Sequence, residues 1–203
     1  METINSLEAL RTLYPEASQG ALDKVMSQIT PLYRAWIEAS RFVIVSTVGD
    51  EGTDASPRGD IGSVVTIADA RTLWLPDWLG NNRLDTLTNI VTDGRVSLMF
   101  MVPGCNNVIR VNGSAVLTDD AAVVSTFRVA GKKEALPRSV IVVSVAEVYF
   151  QCAKALMRSA LWSSEAQLAE LPTAGQFLKE TQSELDVQAY DEGYAEYAQD
   201  RMW

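Results

Sequence analysis

Four separate segments of this 203-residue chain set arginine or lysine among turn-forming or aromatic residues, a pairing suited to a phosphorylated ring. The stretch Leu75–Ile90, LPDWLGNNRLDTLTNI, leaves an apolar strand through Pro76 and a Gly80–Asn82 turn. Leu84, Leu87 and Ile90 then recur at helical spacing. The first N–H groups of a helix lack internal partners and its dipole is positive there, so a strand–turn–helix unit can hold an anion. Arg83 would add a planar fork of donors matched to phosphate. Taken alone, the stretch reads more simply as a surface helix with Asn82 as N-cap and Arg83 solvated.

The second segment, Asp54–Asp60, is DASPRGD between two apolar runs. Pro57 removes a backbone donor and Gly59 permits close approach. It is either an ordinary edge-strand irregularity or an edge that carries Arg58 to an anion and Ser56 to a flat heterocycle. The third is Val108–Leu117, where period-two alternation sets Arg110, Asn112 and Ser114 on the face opposite Ile109 and Val111. These polar residues are a solvent face or the lining of a groove, and Gly113 is a position for a bulge. In the fourth, Lys154 and Arg158 share a helix face, with Trp162 next if the helix continues. In isolation that face is simply solvated. Together, in a chain of net charge −9, the four segments are better explained by a phosphate-and-heterocycle site, with Trp162 able to stack on a ring.

The chain has no histidine. That removes the commonest general base, the usual zinc and haem ligand, and every Ser-His or Cys-His nucleophile. Any enzymatic chemistry is then expected from a bound cofactor, with no metal. The acidic balance, with a pI near 4.5, argues against nucleic acid or an anionic membrane surface as partner. The start at Met1–Leu10 lacks the pattern of a signal peptide, and no apolar run approaches a membrane span. Cys105 and Cys152, alone and far apart, fit a reducing cytoplasm.

The elements that must position these residues follow from periodicity. Residues 1–40 read as helices: one through Leu7, Leu10 and Leu13, one through Leu22, Val25 and Ile29, and one starting at Thr30-Pro31 and running to Ala39. Apolar, β-branched strands are expected at Phe42–Val48, Ser63–Ile67, Thr72–Leu75, Arg95–Val102, Val108–Leu117 and Ser139–Val145, with Glu147–Phe150 as a continuation of the last. A helix is expected from Asp120 to about Arg128, a polar loop over Gly131–Arg138, and helices at Cys152–Ser159, Thr173–Glu184 and from Val187 onward. Short turns without helical crossovers predict an antiparallel sheet, and six such strands are expected to close into a barrel. The fold class is therefore mainly β with helices, in one domain over 1–203: helices in 1–40, barrel in 41–150, helices in 151–203. The acidic, tyrosine-bearing tail reads as a surface helix covering the barrel or a partner subunit.

Taken as a set, DASPRGD (Asp54–Asp60), PDxxGNNRxDTLxNI (Pro76–Ile90), RVNGxA (Arg110–Ala115) and CAKAxxRSxLW (Cys152–Trp162) resemble the FMN-binding split-barrel proteins related to pyridoxamine 5′-phosphate oxidase. The likeness extends over roughly Arg41 to Trp162. It implies a six-stranded split barrel and a homodimer with two FMN molecules at the interface, each touched by both subunits. By motif, Ser56, Pro57, Arg58 and Gly59 would line the isoalloxazine and phosphate side, with Leu75 and Pro76 from the next motif. Asn81, Asn82 and Arg83 would hold the phosphate, with Thr86 and Leu87 on the helix behind them. Arg110 and Asn112 would come from a strand across the site, and Lys154, Arg158, Ser159 and Trp162 from the other chain.

The chain departs from relatives that have histidine where it has Gln151, and from those with an acidic residue near Asn107. Residues after Trp162 do not match the substrate-binding segment of true pyridoxamine phosphate oxidases, which argues against that reaction. The absence of histidine argues against haem degradation, which is known among split-barrel relatives. The expected function is an FMN-dependent oxidoreductase of unknown substrate. The alternatives are a flavin store or sensor, or a split barrel that takes a deazaflavin or keeps only its scaffold.

Overall fold

β-Branched and aromatic residues alternate with polar ones from Phe42 onward, and in the computed structural model they build one antiparallel sheet. The structure describes residues 1–129, 135–163, 171–199 and 201–202. The strands are β1 (Phe42–Gly49), β2 (Gly52–Gly59), β3 (Thr66–Asp69), β4 (Thr72–Asp77), β5 (Arg95–Met101), β6 (Val108–Thr118) and β7 (Ser139–Gln151). Their order is β2-β1-β5-β6-β7-β4-β3. This is a mainly β chain with helices, as periodicity predicts, but among the described residues it has seven strands rather than six, and the ladder does not close. The additional strand is β2, the polar DASPRGD segment, paired along its length with β1.

Proline accounts for part of the opening. Pro57 lies on the edge strand β2, and Pro76 lies in the part of β4 beyond its pairing with β3. A proline has no N–H to give a further strand, so neither position can extend the ladder. The apolar alternation faces inward, where Val43, Val45, Leu98, Phe100, Val111 and Ile141 are fully buried. Between β6 and β7 the register shifts at Asn112/Gly113: Asn112 pairs with Glu147 and Gly113 with Val145, so Ala146 is skipped. The expected bulge is present, and the break read between Val145 and Glu147 is its trace in one 13-residue strand.

The described helices are α1 (Leu7–Leu13), α2 (Gln19–Asp23), α3 (Pro31–Ala39), α4 (Asp85–Thr92), α5 (Ala121–Val124), α6 (Lys154–Ser159), α7 (Ala174–Lys179) and α8 (Val187–Gln199). Proline at its first turn starts α3, whose Ile37 is fully buried against the sheet. In contrast, α1 and α2 bury none of their residues. The chain between them and α3 reaches the sheet instead, through a Met26–Val148 bridge and buried Ile29. α5 and α7 stop short of their expected ends, and the polar loop at Gly131–Arg138 lies partly outside the described residues. Among the described residues, no helix is long and apolar enough to cross a membrane.

Candidate functional site

A groove of about 1350 Å³ opens where the unpaired edge of β2 faces the end of β4. Because side chains alternate along a strand, Ser56 and Arg58 are half-buried while Pro57 and Gly59, alternating with them, are exposed; all four line the groove. Leu75 and Pro76 enter from β4, Asn81, Asn82 and Arg83 from the turn after it, and Thr86 and Leu87 from the first turn of α4. All four cationic segments were expected to converge on one site, the fourth from the other chain. The structure brings the first two together and sets Arg110, Asn112, Lys154, Arg158, Ser159 and Trp162 outside the groove lining.

The turn differs from the expected cap. The N-cap of α4 is Leu84, not Asn82, and no side chain caps the helix. Asn82 (φ 59°) and Leu84 (φ 63°) are both left-handed, on either side of Arg83. A branched residue held there is strained, and such residues cluster at ligand sites. Asn81 instead braces the turn, its Oδ1 accepting the Arg83 N–H at 3.1 Å. Arg83 Nε pairs with Asp85 at 2.9 Å with three quarters of its side chain in solvent, an arrangement worth little.

Deeper in the groove, Arg58 Nη2 lies 3.7 Å from Asp77 Oδ1, with both side chains largely covered. Burial pushes the Asp77 carboxyl above its usual range, while Arg58 and Arg138 pull it down. Asp54, on β2, accepts hydrogen bonds from Ser56 Oγ at 3.0 Å and from Thr86 Oγ1. Those two hydroxyls have donated their protons, so each presents lone pairs to its remaining surroundings.

Four of the residues outside the groove, Arg110, Asn112, Ser159 and Trp162, have partners of their own. Ser97 Oγ donates to Asn112 Oδ1 and Asn112 Nδ2 to Glu147 Oε1, both at 2.6 Å, in a cross-strand row over β5, β6 and β7. The Arg110 guanidinium lies 5.3 Å from the centre of the Tyr149 ring. α6 is a six-residue helix ended by Ala160 in the left-handed region (φ 48°). Trp162 therefore does not continue its face; it turns away and donates Nε1 to the Cys105 carbonyl at 2.9 Å. Lys154 and Arg158 stay on the exposed surface, and Ser159 Oγ bonds back to the Leu156 carbonyl at 3.1 Å.

Sequence reasoning missed two contributors. Arg138, the last residue of a loop, reaches Asn82 Oδ1 at 3.4 Å because Ser139 pairs with Asp77 across β7 and β4. That pairing spans about sixty residues and has no local signal. Tyr190, Tyr194 and Tyr197 of α8, and Arg201 after it, also line the groove. Their helical spacing was visible in the sequence, but not the surface that they cover.

A family model for pyridoxamine 5′-phosphate oxidase matches residues 29–152. The match starts before the stretch expected from the motifs and stops at Cys152, so most of the CAKAxxRSxLW segment lies beyond it. Among solved structures, Group A Streptococcus HupZ aligns at 18% identity over 59% of this chain and 91% of its own, with a TM-score of 0.48. General Stress Protein 26 from Bacillus anthracis aligns at 16% identity over 58% and 88% of the two chains, with a TM-score of 0.44. A nimC/nimA family protein from Clostridium acetobutylicum aligns at 12% identity over 62% and 91%, with a TM-score of 0.40. No curated protein matches the sequence. With more than half of its length matched by the family model, the chain belongs to the pyridoxamine 5′-phosphate oxidase family.

Proposed function

We propose that this chain binds FMN in the groove between β2 and β4 and acts as an FMN-dependent oxidoreductase built on a split barrel. One observation carries the reading. Within a chain of net charge −9, three arginines (Arg58, Arg83, Arg138) against two aspartates (Asp77, Asp85) line one groove with Pro57, Leu75 and Pro76. Cationic forks and an amide suit a phosphate, and apolar walls suit a flat ring. Asn82, Arg83 and the uncapped start of α4 would hold the phosphate, and Arg83 can leave its exposed carboxylate for it at small cost. Ser56 and Thr86, their protons committed to Asp54, would accept from ligand hydroxyl or N–H groups. Bound there, FMN would supply hydride and electron exchange at its ring.

The functional unit on this reading is a homodimer in the cytoplasm. Arg110, Asn112, Lys154, Arg158, Ser159 and Trp162 lie outside this chain's groove and would serve the groove of a second copy. Titrating FMN into purified protein and following the quenching of flavin fluorescence tests the site. Arg83→Ala is expected to weaken binding by about 1.5–3 kcal/mol, the scale of a charge-assisted hydrogen bond. Unchanged affinity would put the phosphate elsewhere. Bleaching of the bound flavin by NADH or NADPH, with reoxidation in air, is the expected sign of turnover. A flavin that stays oxidised under both would make the protein a store.

A further inference from the structure

We propose that α8 forms the substrate wall of this groove and selects a flat conjugated anion, with its rings stacked on the helix's tyrosines and its acidic group on Arg201. The proposal rests on the flavin reading for its neighbour in the groove, though not for its own geometry. Tyr190, Tyr194, Tyr197 and Arg201 recur at four- and three-residue steps, which sets them on one side of the helix and its last turn. All four line the groove. Neighbouring rings lie 6.2 and 6.5 Å apart and are tilted by 30° and 34°, and the Arg201 guanidinium lies 4.2 Å from the centre of the Tyr197 ring.

The helix is held from another side. Asp191 accepts hydrogen bonds from Thr173 Oγ1 and from the Gly175 N–H at 2.9 Å, tying α8 to the start of α7. Gly175 is buried, and a side chain there would meet the Asp191 carboxylate, so this junction is close-fitting. The tyrosine side has no such fit: Tyr194 and Tyr197 remain 53% and 57% exposed, and α8 buries none of its residues. Tyrosine rings left open toward a cavity are surfaces for stacking rather than for the core.

Volume and charge define the occupant. Pockets for one small molecule measure roughly 300–1,000 Å³, so 1350 Å³ leaves space beside a cofactor. Arg201 has no carboxylate partner among the described residues, and with it the groove's four arginines outnumber its two aspartates. An acidic group on the second molecule would meet an arginine already stacked on a ring, where cation and ring reinforce a flat ligand.

Calorimetric titration of 2-naphthoate into the full-length, FMN-loaded protein tests this. Saturable binding is expected, about tenfold weaker for the uncharged naphthalene-2-carboxamide and about tenfold weaker again in Tyr194→Leu and Arg201→Gln. Tyr194→Phe is expected to retain binding, and FMN affinity to stay within about twofold in all three variants. No binding of 2-naphthoate, or binding indifferent to Tyr194 and Arg201, would overturn the proposal. So would an equal loss of FMN affinity, which would assign the tyrosines to the cofactor. The same titration on flavin-free protein separates the two readings. If FMN does not bind but 2-naphthoate does, and still depends on Tyr194 and Arg201, the cofactor reading falls while the wall stands.

Discussion

Asp54 serves two hydroxyls at once, and one of them, Thr86, is buried with only 2% of its surface exposed. Removing the carboxylate would leave that hydroxyl without its acceptor. Asp54→Ala is expected to cost about 1–3 kcal/mol, the price of a buried unsatisfied polar group, read from the midpoint of urea unfolding. Asp77 behaves in the opposite sense. Its carboxyl is raised first by burial, and the attraction of Arg58 and Arg138 does not cancel that effect. A carboxyl that holds its proton more tightly folded than unfolded penalises the fold as pH rises past the ordinary value, fully so above the raised one, and adds nothing below both. Asp77→Asn is therefore expected to raise the melting temperature at neutral pH and to leave it unchanged well below about pH 3.9. Equal melting temperatures at neutral pH would show that Arg58 fully offsets the burial. At this scale Arg58, Asn82 and Arg83 were legible because each sits in a short motif whose turn chemistry is local. Arg138 was not, since only the β4–β7 register brings it to Asn82.

Among the elements, β6 shows how one residue type shapes a strand. At the bulge a side chain on Gly113 would run into the backbone carbonyl of Ser144, which cannot move without opening the β6–β7 ladder. Gly113→Ala is expected to destabilise by about 1–3 kcal/mol, as over-packing does, measured by thermal or urea unfolding. A neutral substitution would mean that the ladder yields there. The glycine and the polar alternation before it were readable, because strand period and bulge are local properties. The ends of the helices were less so. α4 begins at Asp85, because Asn82 and Leu84 take left-handed conformations that only the folded turn imposes. α6 begins at Lys154 rather than Cys152, although it ends at Ser159 as expected, and Ala160 beyond it turns Trp162 toward Cys105.

The whole molecule depends on which strands become neighbours, and that is where the sequence is least legible. Composition and alternation foretell an antiparallel sheet. They do not reveal that β1 lies between β2 and β5, or that the last long strand returns to lie against β4. The number of strands was missed because DASPRGD resembles a loop by composition, although pairing with β1 makes it a strand. Assembly belongs to this scale as well. If each FMN needs residues from two copies, diluting the flavin-loaded protein until it dissociates should release the flavin. Sedimentation and flavin fluorescence followed over one dilution series would show both changes together. A monomer that keeps its flavin would exclude a shared site.

The prolines at positions 57 and 76 have an effect beyond shaping the groove. An unguarded sheet margin invites a stray chain to stitch itself on, and sheet proteins resist this with residues that cannot complete the stitch. Here the same two residues that leave the cleft open also blunt it as a landing strip for strands of other molecules. A freshly made chain would therefore stay dispersed rather than polymerise through this margin of its sheet.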